Sequence, residues 1–145
     1  MPTIRTMTAA DHPALIALLR QTPGVSLREA DSLASTQRYL ARNPGLSFVA
    51  EEDGAVVGCI LGGHDGRRGY LQHLLVVPAL RRSGLASRLV DRCLEALARE
   101  GILKSHVDVF ADNAAGNAFW RATGWTLRTD IHRYSRIRDG GAVDT

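Results

Sequence analysis

Residues 70–97 read YLQHLLVVPALRRSGLASRLVDRCLEAL, and this stretch decides the fold. Its first eight residues, 70–77, are apolar and β-rich and stop at Pro78, which predicts a strand. From residue 84 the period changes. Ala86, Leu89, Val90, Cys93, Leu94, Leu97 and Ala98 recur at helical spacing, and Arg88, Asp91, Arg92, Glu95 and Arg99 take the opposite face. This predicts an amphipathic helix over 84–100, closed by Gly101. The joint between the two is RRSGLAS. A helix start carries backbone N–H groups without partners and the positive end of the helix dipole. Gly84 lacks a Cβ, Ala86 and Ser87 are small, and Arg81 and Arg82 are adjacent, so the joint can hold an anion. Read alone, the same residues serve equally well as a plain turn beside a solvated arginine pair.

Outward from this stretch, residues 2–6 alternate as a strand does. Two helices follow: TAADHPALIALLRQT, capped by Thr8 or Asp11 with Pro13 in its first turn, and DSLASTQRYLARNPG, capped by Asp31 or Ser32. Residues 23–31 read as a loop. Asp53–Gly54 marks a tight turn between two β-rich runs, which predicts a hairpin. Residues 104–110 read as an interior strand, 112–124 as a helix capped by Asp112 or Asn113, and 125–138 as one or two closing strands. The order β-α-α-β-β-β-α-β-α-β-β places a hairpin among helix-separated strands. The fold class expected is α/β, with a mixed, mostly antiparallel central sheet flanked by helices. One domain over 1–138 with a flexible tail at 139–145 is the expectation for 145 residues.

Composition narrows the function classes. Net charge is +3, and 17 of 18 basic residues are Arg, with Lys104 the lone lysine. The arginines scatter, apart from doublets at 67–68 and 81–82. A small anionic molecule fits this better than nucleic acid does. No apolar run approaches a membrane span, and the opening residues lack a signal pattern, so a cytoplasmic protein without membrane attachment is expected. Cys59 and Cys93 read as buried small side chains, and no metal-ligand spacing is present.

The residues Val76-Val77-Pro78-Ala79-Leu80-Arg81-Arg82-Ser83-Gly84-Leu85-Ala86 resemble the acyl-CoA signature of the GCN5-related N-acetyltransferase (GNAT) superfamily. In that signature a strand ending V-x-P leads to [QR]-x-x-G-x-[GA] at a helix start. Asn113, Phe119, Trp120, Gly124 and Trp125 fit the family's next segment, N-x-x-[AG]-x-x-[FL]-[YW]-x-x-x-G-[FYW]. GGHDGRRG, 62–69, is similar to a subgroup of small bacterial members close to the ribosomal-protein N-acetyltransferases.

The resemblance implies acetyl-CoA as acetyl donor and an amine as acceptor, in a cleft where strand 72–77 splays from strand 104–110. Backbone of Leu74, Leu75 and Val76 pairs with the pantetheine arm. Arg81 stands at a fixed motif position, and the N–H groups of Arg82, Ser83, Gly84, Leu85, Ala86 and Ser87 hold the pyrophosphate. Asn113 bonds the pantetheine region or caps its helix, and Trp120 lies in the helix beside the thiol end.

Transfer to an amine needs a proton acceptor and oxyanion donors. The N–H near Leu75 is the expected donor. Asp108 is the expected base, with its carboxylate alternatively orienting a neighbour or binding a substrate cation; His73 and His106 are rival bases. The family's usual general acid, a Tyr, is replaced by Trp120, whose indole donates a hydrogen bond but not a proton; Tyr134 is a weak substitute. Residues 22–45 and the closing strands are expected to build the acceptor pocket, and a homodimer is possible for such a protein. A catalytically silent acyl-CoA-binding module is the rival function.

Overall fold

The computed structural model describes residues 1–23, 25 and 27–141. Backbone contacts group the chain into two compact units, Met1–Asp108 and Val109–Thr145.

In the first unit five strands form one sheet in the order β1-β2-β3-β4-β5: β1 Thr3–Thr6, β2 Phe48–Glu52, β3 Ala55–His64, β4 Gly69–Val76 and β5 Ser105–Val107. The first three pairings are antiparallel and β4–β5 is parallel, so the sheet is mixed and mostly antiparallel, as expected. The β2–β3 turn works because Asp53 and Gly54 both take positive φ, 53° and 77°, the conformation that matches the twist of a hairpin.

Helix α1, His12–Arg20, and helix α3, Leu85–Arg99, cover opposite faces of the sheet. The alternation along β3 shows this. Cys59 and Leu61 join Leu15, Leu18, Leu19, Val49 and Leu75 in the α1 cluster. Gly58 and Gly62, one residue out of phase, face Leu89 and Cys93 of α3. Along α3 the buried face is Leu85, Leu89, Val90, Cys93, Ala96 and Leu97; the expected Ala98 is exposed, one step off the stripe. Helix α2, Leu33–Arg42, is capped by Ser32, whose Oγ accepts the Ser35 N–H at 3.1 Å. The loop expected over 23–31 holds a single helical turn at Glu29–Asp31, and residues 24 and 26 lie outside the described ones.

A partly exposed ion pair, with only Asp11 buried, secures the sheet edge. Arg5 grips Asp11 through Nη1–Oδ2 at 2.9 Å and Nη2–Oδ1 at 2.7 Å, and its Nε donates to Glu51 at 2.8 Å. The Arg5 hydrogen bonds hold the Asp11 carboxyl below the usual carboxylate range, against the opposing effect of burial. A depressed carboxylate contributes stability above its unfolded-state pKa and loses it as pH falls through its folded-state value. Asp11→Asn is therefore expected to lower stability by about 1–2 kcal/mol near neutrality. The wild-type advantage should vanish in acid; thermal unfolding of both proteins at descending pH checks this.

Two expected strands differ. The strand expected over 104–110 is only Ser105–Val107, and it lies at the sheet edge, because β4 bulges beyond its last rung with β5. The closing strands expected over 125–138 are absent: after helix α4, Ala114–Ala122, no described residue is in a strand. Leu127, Ile131 and Ile137 stay exposed. Alternating apolar residues make a strand only where a neighbouring edge takes up the backbone hydrogen bonds, and this segment has no such ladder. Of the expected tail, residues 142–145 lie outside the described ones.

Candidate functional site

The site begins where β4 and β5 part. Their ladder has three rungs, Gly69–Ser105, Tyr70–His106 and Leu71–Val107. β4 runs on to Val76, so among the described residues its edge on that side is unpaired from Gln72 onward. The parting coincides with a bulge: Cys59 pairs with Leu75 and Leu61 with Gln72, leaving His73 and Leu74 opposite Ile60 alone. His73 takes φ +50°, a left-handed conformation that costs an L-residue roughly 1–2 kcal/mol.

Backbone parity then assigns the free groups. The Val77 N–H donates to Val57 O at 3.0 Å, so Val77 and Leu75 address β3. Val76 and Leu74 address the open edge. The Val76 carbonyl confirms the parity, since it accepts Arg81 Nε from outside the sheet at 3.3 Å. By this parity the Leu75 amide turns inward, and its side chain is buried with α1. The edge-facing amides are those of Leu74 and Val76.

Past Pro78–Leu80, a single helical turn, the chain reaches α3 through Arg81, Arg82, Ser83 and Gly84. Arg82 (φ 63°) and Gly84 (φ 85°) are both left-handed. A Cβ on Gly84 would meet no atom within 4 Å, so the backbone conformation is what selects glycine here. Among the described residues no side chain caps α3, and its first backbone bond runs from the Arg88 N–H to Gly84 O at 3.1 Å. The amides of Leu85, Ala86 and Ser87 therefore have no acceptor within the helix. Arg81, Arg82 and Ser83 are exposed beside them. Open strand edge and bare helix start thus follow each other within a dozen residues.

The other candidates spread apart. Asp108 is exposed and lies past the end of β5, outside the apolar interior strand expected for it. His106 is in β5, tilted against the Tyr70 ring at 5.8 Å. Tyr134 is 92% exposed. His73 instead meets a residue of the 22–45 stretch, one of the two expected α2 caps: its Nε2 lies 2.6 Å from Asp31 Oδ1. Asp31 is buried, and its other oxygen accepts the Arg28 N–H at 3.0 Å. Nothing in the local sequence links Asp31 to His73; they meet at the β4 bulge.

In the second unit Asn113 caps α4, accepting the Gly116 N–H at 2.9 Å. Trp120 is buried, with Phe119 and Trp125 edge-on at 5.1 and 4.9 Å. Gly124, at φ 93°, ends the helix.

A sequence model of the acetyltransferase (GNAT) family matches residues 12–125. The chain belongs to that family. An acetyltransferase of Pectobacterium atrosepticum is 40% identical over 79 residues, which cover 54% of this chain and 56% of that protein. The chain thus matches little more than half the length of such relatives. Among solved GNAT structures, a PaiA N-acetyltransferase from Thermoplasma acidophilum in complex with coenzyme A superposes with TM-score 0.78 at 19% identity, covering 88% of this chain and 91% of that one. A ribosomal-protein alanine N-acetyltransferase from Escherichia coli gives 0.73 at 21% identity, covering 97% and 87%. These two show the GNAT fold. No helix among the described residues of this GNAT chain is long and apolar enough to cross a membrane.

Proposed function

We propose that this GNAT chain is an acetyl-CoA-dependent N-acetyltransferase that moves an acetyl group to a primary amine by direct attack. The observation that carries the proposal is the sequence of an unpaired β4 edge, a left-handed turn and an uncapped α3 start. An extended chain of amides, as in pantetheine, suits a strand edge, because it can complete the ladder. A diphosphate suits a bare helix N-terminus, because the amides of Leu85, Ala86 and Ser87 and the dipole favour negative charge. Arg82, Ser83 and Gly84 extend that cradle, and Arg81 and Arg82 add charge. The family match across 12–125 spans both compact units and supports one catalytic domain over 1–138.

Acetyl-CoA supplies an activated acyl carbon and a good leaving thiolate. The chain's part is to hold and polarise. We assign the oxyanion donor to the Leu74 N–H rather than Leu75, since Leu74 faces the open edge, and a fixed amide there is worth most where water is excluded. Val76 holds the pantetheine through its N–H. Asn113 and Trp120 stand at the motif positions to which the family resemblance gives the pantetheine region and the thiol end. The free thiols of Cys59 and Cys93, which burial pushes up to about 12, suit a reducing compartment, and we place the reaction in the cytoplasm.

Trp120 cannot deliver a proton, so no step needs it to. Trp120→Phe is expected to keep turnover within about tenfold, the worth of one modest hydrogen bond. Complete loss of turnover in a folded, acetyl-CoA-binding Trp120→Phe protein would contradict this. Trp120 is also what favours the second reading, a silent acyl-CoA-binding module. A screen of CoA release from acetyl-CoA with spermidine, kanamycin, free amino acids and N-terminal peptides separates the two. Amine-dependent release supports the enzyme; binding of acetyl-CoA without release by any amine supports the module.

A further inference from the structure

We infer that His73 takes the acceptor's proton and that Asp31 holds it in the tautomer that can. The inference rests on the acetyl-transfer reading above. A carboxylate only accepts, so the 2.6 Å contact fixes the proton on His73 Nε2 and leaves the lone pair on Nδ1. Asp31 cannot swing away. Its Oδ2 is tied to the Arg28 N–H, its backbone oxygen accepts His12 Nε2 at 2.7 Å, and only 7% of it is exposed. A buried carboxylate that orients an imidazole by one nitrogen and frees the other is the arrangement a general base requires.

Position supports the assignment. His73 sits in the β4 bulge, and the next residue, Leu74, turns its amide to the open edge. The bulge thus sets a base and an oxyanion donor side by side in the chain, and the strain of φ +50° is stored where the reaction needs geometry. The His73 side chain is 23% exposed. His64, by contrast, has both nitrogens engaged, with Nδ1 accepting the Gly66 N–H and Nε2 on Glu100. The groups that face His73 are Asp31, with Arg28 behind it, His12 of α1 on the Asp31 carbonyl, and Cys59 of β3. The Cys59 thiol donates to the His73 carbonyl at 3.4 Å and stays protonated, so it does not compete for the proton.

The step balances without another reagent. The amine nitrogen attacks the thioester carbonyl, and a C–N bond forms while the carbonyl oxygen takes the electron pair at the Leu74 N–H. His73 Nδ1 removes the proton from the now cationic nitrogen. Collapse of the oxyanion breaks the C–S bond, and the thiolate leaves with that pair. His73 returns its proton to water and the thiolate gains one, giving amide and thiol.

The test uses the whole chain, acetyl-CoA and the screened amine with fastest turnover. His73→Gln is expected to lower kcat/KM by roughly 100-fold or more. Affinity for acetyl-CoA should stay within twofold, and the acid limb of the pH–kcat/KM profile should disappear. Asp31→Asn is expected to give a smaller loss, and nitrogen NMR of the ligand-free protein should show His73 changing from a single Nε2–H tautomer to a mixture. That second variant carries the test should His73→Gln not fold; full turnover in Asp31→Asn despite the tautomer change overturns the inference. So does an acid limb that survives in His73→Gln, or one removed by Asp108→Asn instead. Absence of turnover by the wild type with every amine removes the transfer reading, and this assignment with it.

Discussion

Gly84→Glu is expected to weaken CoA binding by roughly 100-fold or more, the worth of one or two charge-assisted hydrogen bonds. The carboxylate would sit at the uncapped start of α3, beside the amides of Leu85, Ala86 and Ser87, and take the place the model of binding gives to a diphosphate. Unfolding does not explain such a loss. A negative charge at a helix N-terminus favours the helix, and a Cβ at Gly84 meets nothing within 4 Å. What any side chain does incur is the left-handed φ of 85°, about 1 kcal/mol. Gly84→Ala incurs that cost without the charge and is the matched control: slightly lower stability and CoA affinity within a few-fold. Calorimetric titration with CoA, alongside thermal unfolding of the three proteins, separates strain from electrostatics. Equal CoA affinity in wild type and Gly84→Glu would place the diphosphate elsewhere.

The second large effect concerns the scaffold. Gly62→Ala is expected to destabilise the fold by about 3 kcal/mol or more, the upper range for overpacking. A Cβ there would clash with Cys93 Sγ and with the backbone oxygen of Leu46. The methyl would wedge between the Cys93 thiol and the Leu46 carbonyl it bonds at 3.3 Å. Both residues are fully buried, so neither can step aside. Thermal unfolding should show a fall of about 10 °C. Adding Cys93→Ala should restore part of it, because one of the two clashes is removed and the sites are in contact. An unchanged melting temperature for Gly62→Ala would mean that β3 and α3 are spaced more loosely than described.

What the sequence made legible follows from local chemistry. The change from a β-rich run at 70–77 to helical spacing after Gly84 located β4, α3 and the bare helix start between them. Asp53–Gly54 located the hairpin, and Ser32 and Asn113 were among the caps named. What stayed hidden depends on partners far along the chain. Asp31 and His73 stand 42 residues apart and meet at the β4 bulge. A left-handed histidine carries no glycine to announce it. The choice between Leu74 and Leu75 is hidden for a related reason: which amides face outward is set by register with β3, and a bulge shifts that register. Asp108 looked interior because Val107 and Val109 flank it, yet the strand ends before it. At 125–138 one or two closing strands were expected, but a strand-like composition describes only a segment by itself. The ladder needs a neighbour.

The most direct measurement is the amide spectrum of the nitrogen-labelled chain during titration with CoA. The account predicts that the resonances of Ser83, Gly84, Leu85, Ala86 and Ser87 shift together with those of Leu74 and Val76, while Leu75, paired to β3, moves less. Saturating CoA binding that leaves the α3 start and the β4 edge unshifted would contradict it.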